Sequence, residues 1–272
     1  MPRLLTIVAL GLALLASAGP AAAQDSVYLE ELTWTEARAA IDGGKTTIIL
    51  ATGGTEQNGP HMVLGKHNMI IHHTAGEIAK RLGNALVAPV VAYVPEGNVD
   101  PPSGHMRMAG TITLPNEHFM RLLEFAARSF RAHGFTDIVL IGDSGGNQNG
   151  MRDVAALLNG EWAGAGVRVH HVPEYYNGHG FGEWLEAQGH TRQQIGSHAG
   201  ISDTSQLLAV RPDMIRTDKL APGGGGQGSG VSGDPTQASA EYGRQGLEMK
   251  IAVTVARIRE LVGSGAPAGR DR

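Results

Sequence analysis

The sequence predicts an α/β protein, a single domain in which a mainly parallel β-sheet is flanked by helices. Three observations predict it. Short β-branched runs alternate with longer stretches of helical period, as βαβ units require. One run, Asp137 to Ile141, is apolar through Ile141, as a parallel strand covered on both faces should be. Polar loops containing glycine follow the strands directly, where open parallel sheets gather their ligands.

In chain order, Thr46 to Ala51 reads as the first strand and runs into Thr52-Gly53-Gly54-Thr55-Glu56. Ile70 to Leu82 carries apolar residues at helical spacing. Leu86 to Val91 is the next strand, Glu117 to Ala132 the next helix, and Asp137 to Ile141 the third strand, followed by Gly142-Asp143-Ser144-Gly145-Gly146-Asn147. A helix through Leu158, a strand at Val167 to Val172, and helices near Thr204 to Val210 and Ala238 to Leu261 complete the pattern. No linker separates two domains, so residues 24–262 are expected to form one. Pro222 to Gly233, rich in glycine, is expected as a surface or interface loop, and 263–272 as a disordered tail.

At the amino end, Met1-Pro2-Arg3 supplies a positive charge and Leu4 to Leu15 a short apolar run, with Ala21-Ala22-Ala23 before Gln24. That is the pattern of a cleaved signal peptide over 1–23, so the mature chain is expected near Gln24, secreted or periplasmic, with no membrane association after cleavage. A net charge of -4 without basic runs argues against nucleic acid as a partner. The chain has no cysteine, which excludes disulfides and thiolate chemistry and leaves carboxylates, imidazoles, hydroxyls or a metal. Its 12 histidines, several beside Gly or Asp in loops, point to a polar site.

Two loops hold the candidate chemistry. Glu56 to His67 packs a carboxylate, an amide and two imidazoles around Gly59, Pro60 and Gly65, more than turn formation or helix capping needs. Asp143 to Asn147 offers a carboxylate, a hydroxyl and an amide, residue types that capping also favours.

The first loop, Gly53-Gly54-Thr55-Glu56-Gln57-Asn58-Gly59-Pro60-His61 and on to His67, resembles the creatininase pattern G-x-x-E-Q-H-G-P-H-x-P-x-x-x-D. Ser103-Gly104-His105 with Gly110-Thr111, His198-Ala199-Gly200 with Asp203-Thr204-Ser205, and Gly230 to Pro235 are similar to three further motifs of that family, in order. The resemblance implies a three-layer creatininase-like domain, a metal-dependent hydrolase of amide-like bonds, and a homo-oligomer, often a hexamer. It also implies which residues act. Glu56 stands at a family metal ligand, while Asn58, His67 and Ser144 stand where the family has His, Asp and His, and Asp203 where many members have Glu.

An amide and a hydroxyl are poor zinc ligands, so a two-metal centre is not expected. The expected set is Glu56, His67 and Asp203 around one divalent metal (zinc, manganese or iron), with an open position for water. His198 and Glu56 are the expected catalytic residues, His198 as proton donor. Asn58, His61, His105, Asp143 and Ser144 are the expected contacts to a small-molecule substrate, an amide, cyclic amide or lactone. Two readings stay open beside this one: a metal-free acid–base lyase or isomerase, and a binding protein without catalysis. The His72-His73 and His170-His171 pairs match no family ligand and are expected in surface or packing roles.

Overall fold

Four strands form one parallel sheet: β1 (Thr47–Thr52), β2 (Ala85–Val87), β3 (Asp137–Gly142) and β4 (Arg168–His171), in the order β2-β1-β3-β4. The structure, a computed structural model, describes residues 26–263, so the expected signal peptide and the tail beyond Gly263 lie outside the described residues. β1 pairs with β3 over its whole length, from Thr47 opposite Asp137 to Thr52 opposite Gly142. β2 is shorter than its sequence predicts. Pro89 carries no N–H for the ladder, and pairing resumes only as a single bridge between Thr52 and Val91.

Strand alternation divides the core in two. Ile48, Leu50, Ile138 and Leu140 face one layer, with α1 (Trp34–Asp42), α3 (Asn116–His133) and α4 (Asn147–Glu161). Ile49, Ala51, Val139 and Ile141 face the other, with α2 (Lys66–Leu82) and α8 (Ala240–Gly263). On α3, Phe119, Leu123 and Ala127 recur at i, i+4 and i+8 and are wholly buried. Each of the two larger ones contributes about 1.5–3 kcal/mol. The short helices α5 (Phe181–Ala187) and α6 (Arg192–Ile195), with α7 (Ile201–Val210), close the end of the sheet beside α8. Among the described residues no helix is long and apolar enough to cross a membrane. The His pairs pack locally: His72 stacks on Tyr28 at 4.3 Å, and His170 Nε2 donates to Asp137 at 2.8 Å.

This strand order locates the site. The chain leaves β1 through α2 to reach β2 on one side, while β3 lies on the other. The loops after β1 and β3 therefore diverge above their shared edge, the switch point where open α/β sheets bind ligands.

Candidate active site

The loop after β1 is folded back by its own backbone groups. At Gly53 a Cβ would stand 2.1 Å from Asn68 Oδ1, and at Gly54 φ is +153°, so glycine is required at both. Asn68 Oδ1 accepts from the Gly54 N–H at 3.0 Å. Asn58 Nδ2 donates to the carbonyls of Glu56 (2.9 Å) and Val63 (3.1 Å). Asn58 is thus a staple within the loop. His61, wholly buried, meets Thr204 Oγ1 at 3.0 Å and ties the loop to α7. Neither lines the cavity, so the expectation that they touch substrate is replaced by this structural role. The staple brings the chain back to α2, whose first turn carries Lys66 and His67.

A cavity of about 520 Å³ opens over the β1/β3 edge. Glu56, Lys66, His67, Glu96, His105, Asp143, Ser144, Tyr176, His198 and Asp203 are among the residues that line it. Of the residues predicted from sequence, Glu56, His67, His105, Asp143, Ser144, His198 and Asp203 are therefore brought together.

Its inner half is an ionic network. His67 donates from Nδ1 to Asp143 Oδ2 at 2.7 Å and from Nε2 to Glu56 Oε1 at 2.8 Å, so its ring bridges two carboxylates as an imidazolium. Burial and Lys66 oppose that charge, but the hydrogen bonds to Asp143 and Glu56 prevail and raise its pKa. Lys250 Nζ donates to Asp143 Oδ1 at 2.8 Å. Lys66 Nζ donates to Asp203 Oδ2 at 2.8 Å and lies 3.9 Å from Glu56 Oε1. Burial alone would push the carboxylates up. His67 and Lys66 instead hold Glu56 well below the usual range, Lys250 and His67 do so for Asp143, and Lys66 for Asp203.

The outer half is less closed. His105 Nε2 lies 3.3 Å from Glu56 Oε2, and His198 Nδ1 lies 3.6 Å from Glu56 Oε1, with the two rings 4.5 Å apart. His198 donates from Nε2 to the Gln57 carbonyl at 2.8 Å, which leaves the Nδ1 lone pair facing Glu56. Burial and the nearby Lys66 lower its pKa, so it is neutral at pH 7. Glu96 hydrogen-bonds to Glu56. Burial, then that shared proton and the Glu56 charge, push its pKa to about 10. It is a neutral carboxylic acid at pH 7, and its Oε1 is buried without a partner.

The ligand atoms of Glu56, His105 and His198 all lie within 4.8 Å of one another, and these three form the group that could hold a metal ion. Two imidazoles and a carboxylate are a set that zinc accepts with a position left open, so the residues fit one divalent ion. The Gln57 amide controls that fit, because Gln57 Nε2 faces His105 Nδ1 at 3.0 Å. Gln57 Nε2 also donates to the Gly230 carbonyl and Gln57 Oε1 accepts from the Gly59 N–H, so His105 accepts at Nδ1 and carries its proton on Nε2 towards Glu56. An ion held at Nε2 would have to displace that proton to Nδ1 and turn the amide. The Glu56, His67 and Asp203 set expected from sequence is not the one assembled. Both His67 nitrogens already donate to carboxylates, and Asp203 Oδ2 accepts from Lys66 and from the Ala199 N–H (2.8 Å).

Sequence reasoning missed Lys66, Glu96 and Lys250. Lys250 was findable, since it interrupts the buried stripe Leu247, Ile251, Val255, Ile258 of α8 at helical spacing. Lys66 sits inside the recognised loop motif, beside His67. Glu96 lies in an irregular loop and carries no such signal.

A parallel α/β sheet with a carboxylate and two imidazoles gathered above its β1/β3 switch point has its polar groups where such folds bind ligands. The family model for creatininase, described as creatinine amidohydrolase, matches residues 30–258, and the chain belongs to that family. It is 29% identical over 221 residues to the mycofactocin precursor peptide peptidase of Mycolicibacterium smegmatis, covering 73% of this chain and 78% of that protein. To the creatinine amidohydrolase of Pseudomonas putida it is 27% identical over 202 residues, covering 72% and 76%. The solved structure "Creatininase Mn" superposes with a TM-score of 0.72 at 24% identity, covering 86% of this chain and 98% of that one. A mutant creatininase of "Zn-Zn type" gives 0.71 at 24% identity, covering 87% and 98%.

Proposed function

We propose that this chain hydrolyses the C–N bond of a small amide or cyclic amide, or the matching bond of a lactone, in the cavity above β1 and β3. The observation that carries the reading is the convergence of Glu56, His105 and His198 at the open side of that cavity. These three would hold one divalent ion, zinc, manganese or iron, which when bound supplies Lewis acidity to a carbonyl and lowers the pKa of water. The manganese and zinc forms of solved creatininases support that choice.

The chain's own groups divide the remaining work. His67 and Lys66 keep Glu56 ionised. His198, neutral at pH 7, presents its lone pair without first losing a proton. That nitrogen cannot hold an ion and carry a proton at once, so the proton expected of His198 is assigned to Glu96. Two neighbouring carboxyls with pKa values driven apart are the pattern of an acid and its partner. Hydrolysis places the water oxygen on the carbonyl carbon and a proton on the leaving nitrogen. Glu96 gives that proton, and the proton released by the attacking water refills the Glu56–Glu96 pair.

The reading includes export, supported by the Ala21 to Ala23 pattern, and self-association, supported by the family resemblance and the glycine-rich segment 222–233. Intact mass of the periplasmic protein is expected to start near Gln24, and sedimentation to show more than a monomer at micromolar concentration. The function is tested by supplying the purified chain with zinc or manganese and measuring amine release from creatinine, formamides and short peptides. Turnover of at least one class is expected. Absence of hydrolysis across the panel with the ion bound would favour a binding protein.

A further inference from the structure

Lys66 is wholly buried, and its ammonium lies in the wall of the cavity. An unpaired ammonium in such a place is costly, so Nζ is confined to the space between its two carboxylates, 2.8 Å from Asp203 and 3.9 Å from Glu56. An ion bridging those carboxylates would have to take the position Nζ holds. The remaining inner carboxylate is no freer, since Asp143 is claimed on one oxygen by Lys250 and on the other by His67.

We propose that the Lys66 ammonium is the second cation of this site, built into the chain, so that the cavity takes one divalent ion and never a pair. The proposal rests on the ion reading above. Charge supports it. With His67 an imidazolium, the carboxylates of Glu56, Asp143 and Asp203 are balanced by the three cations Lys66, Lys250 and His67, and the network is neutral. One divalent ion leaves an excess of two positive charges, whereas two ions would leave four in a largely buried cluster, and uncompensated buried charge is costly. A relative of the Zn-Zn type shows that this fold elsewhere accommodates a pair, so the limit lies in this chain's residues rather than in the backbone.

Isothermal titration with zinc and with manganese, checked by native mass spectrometry, tests it. The wild type is expected to saturate at one ion per chain. Lys66→Met, which removes a positive charge 3.9 Å from the Glu56 carboxylate, is expected to bind at least about tenfold tighter, from the Coulomb term at an effective dielectric of about 20, or to take a second equivalent. Lys66→Arg is expected to behave as the wild type. Two ions on the wild type would overturn the proposal without recourse to a variant. So would a folded Lys66→Met protein with neither gain, at whatever level the wild type binds. A wild type binding less than one ion defeats the ion reading of the proposed function, and that result is read from the wild type alone.

Discussion

The two halves of the cavity share Glu56 and differ in everything else. In the inner half each charge meets its opposite: Lys66 with Asp203, His67 with Asp143 and Glu56, Lys250 with Asp143. In the outer half a lone pair on His198, a proton on Glu96 and an unpartnered Glu96 oxygen remain, and the His105 side chain is 31% exposed. A group can react only if it has a bond left to make. The inner half therefore sets the position and charge of Glu56, while the outer half meets the substrate.

The largest expected effect lies inside. Lys250→Met leaves Asp143 buried beside a single partner, and losing one member of a buried ion network costs about 3–5 kcal/mol. Urea unfolding measures it, and a loss under about 1 kcal/mol would break the distinction between the halves. His198→Ala is the converse. Its stability is expected to stay within about 1 kcal/mol of the wild type, because the side chain is only partly buried. Its affinity for zinc or manganese should fall by more than about 100-fold, since loss of an outer-shell partner alone costs 10–100-fold.

Glu96→Gln sharpens the comparison through pH. The pKa of Glu96 is raised from 4.5 to about 10 on folding, so above about 4.5 the unfolded chain gives up a proton that the folded chain keeps. The stability this group contributes is fully present below the unfolded value and declines as pH rises, until it is lost at about 10. Gln lacks that penalty and still offers an N–H to Glu56. The variant is expected to melt higher than the wild type at pH 7, with a gap that widens from pH 5 to pH 9. Its turnover should nevertheless fall, because an amide has no proton to give. Equal melting temperatures across that range would mean that Glu96 ionises in the fold.

Much of this fold was legible in the sequence because periodicity is local. The β1, β3, α2 and α8 stripes each read correctly to within a few residues, and β2 fell short only where Pro89 withholds an N–H. The site was legible as a neighbourhood but not as a wiring diagram. The motif placed Glu56, His67 and Asp203 in one cavity. Which atoms face each other depends on Lys66 and Lys250 arriving from the start of α2 and the middle of α8, and on the loop carrying Glu96. Spacing within one loop says nothing of a cation delivered by a helix more than 100 residues away. The same limit misread Asn58 and His61, whose side chains turn from the cavity to hold the loop.

The outer group, Glu56 with His105 and His198, is the proposed seat of the ion, and the inner network is not. Zinc titration of the His105→Ala/His198→Ala double variant against the wild type addresses it most directly. One ion per wild-type chain and none on the double variant at the same concentration are expected. Undiminished binding by the double variant, together with loss of the ion in His67→Ala, would put the ion on the inner carboxylates instead.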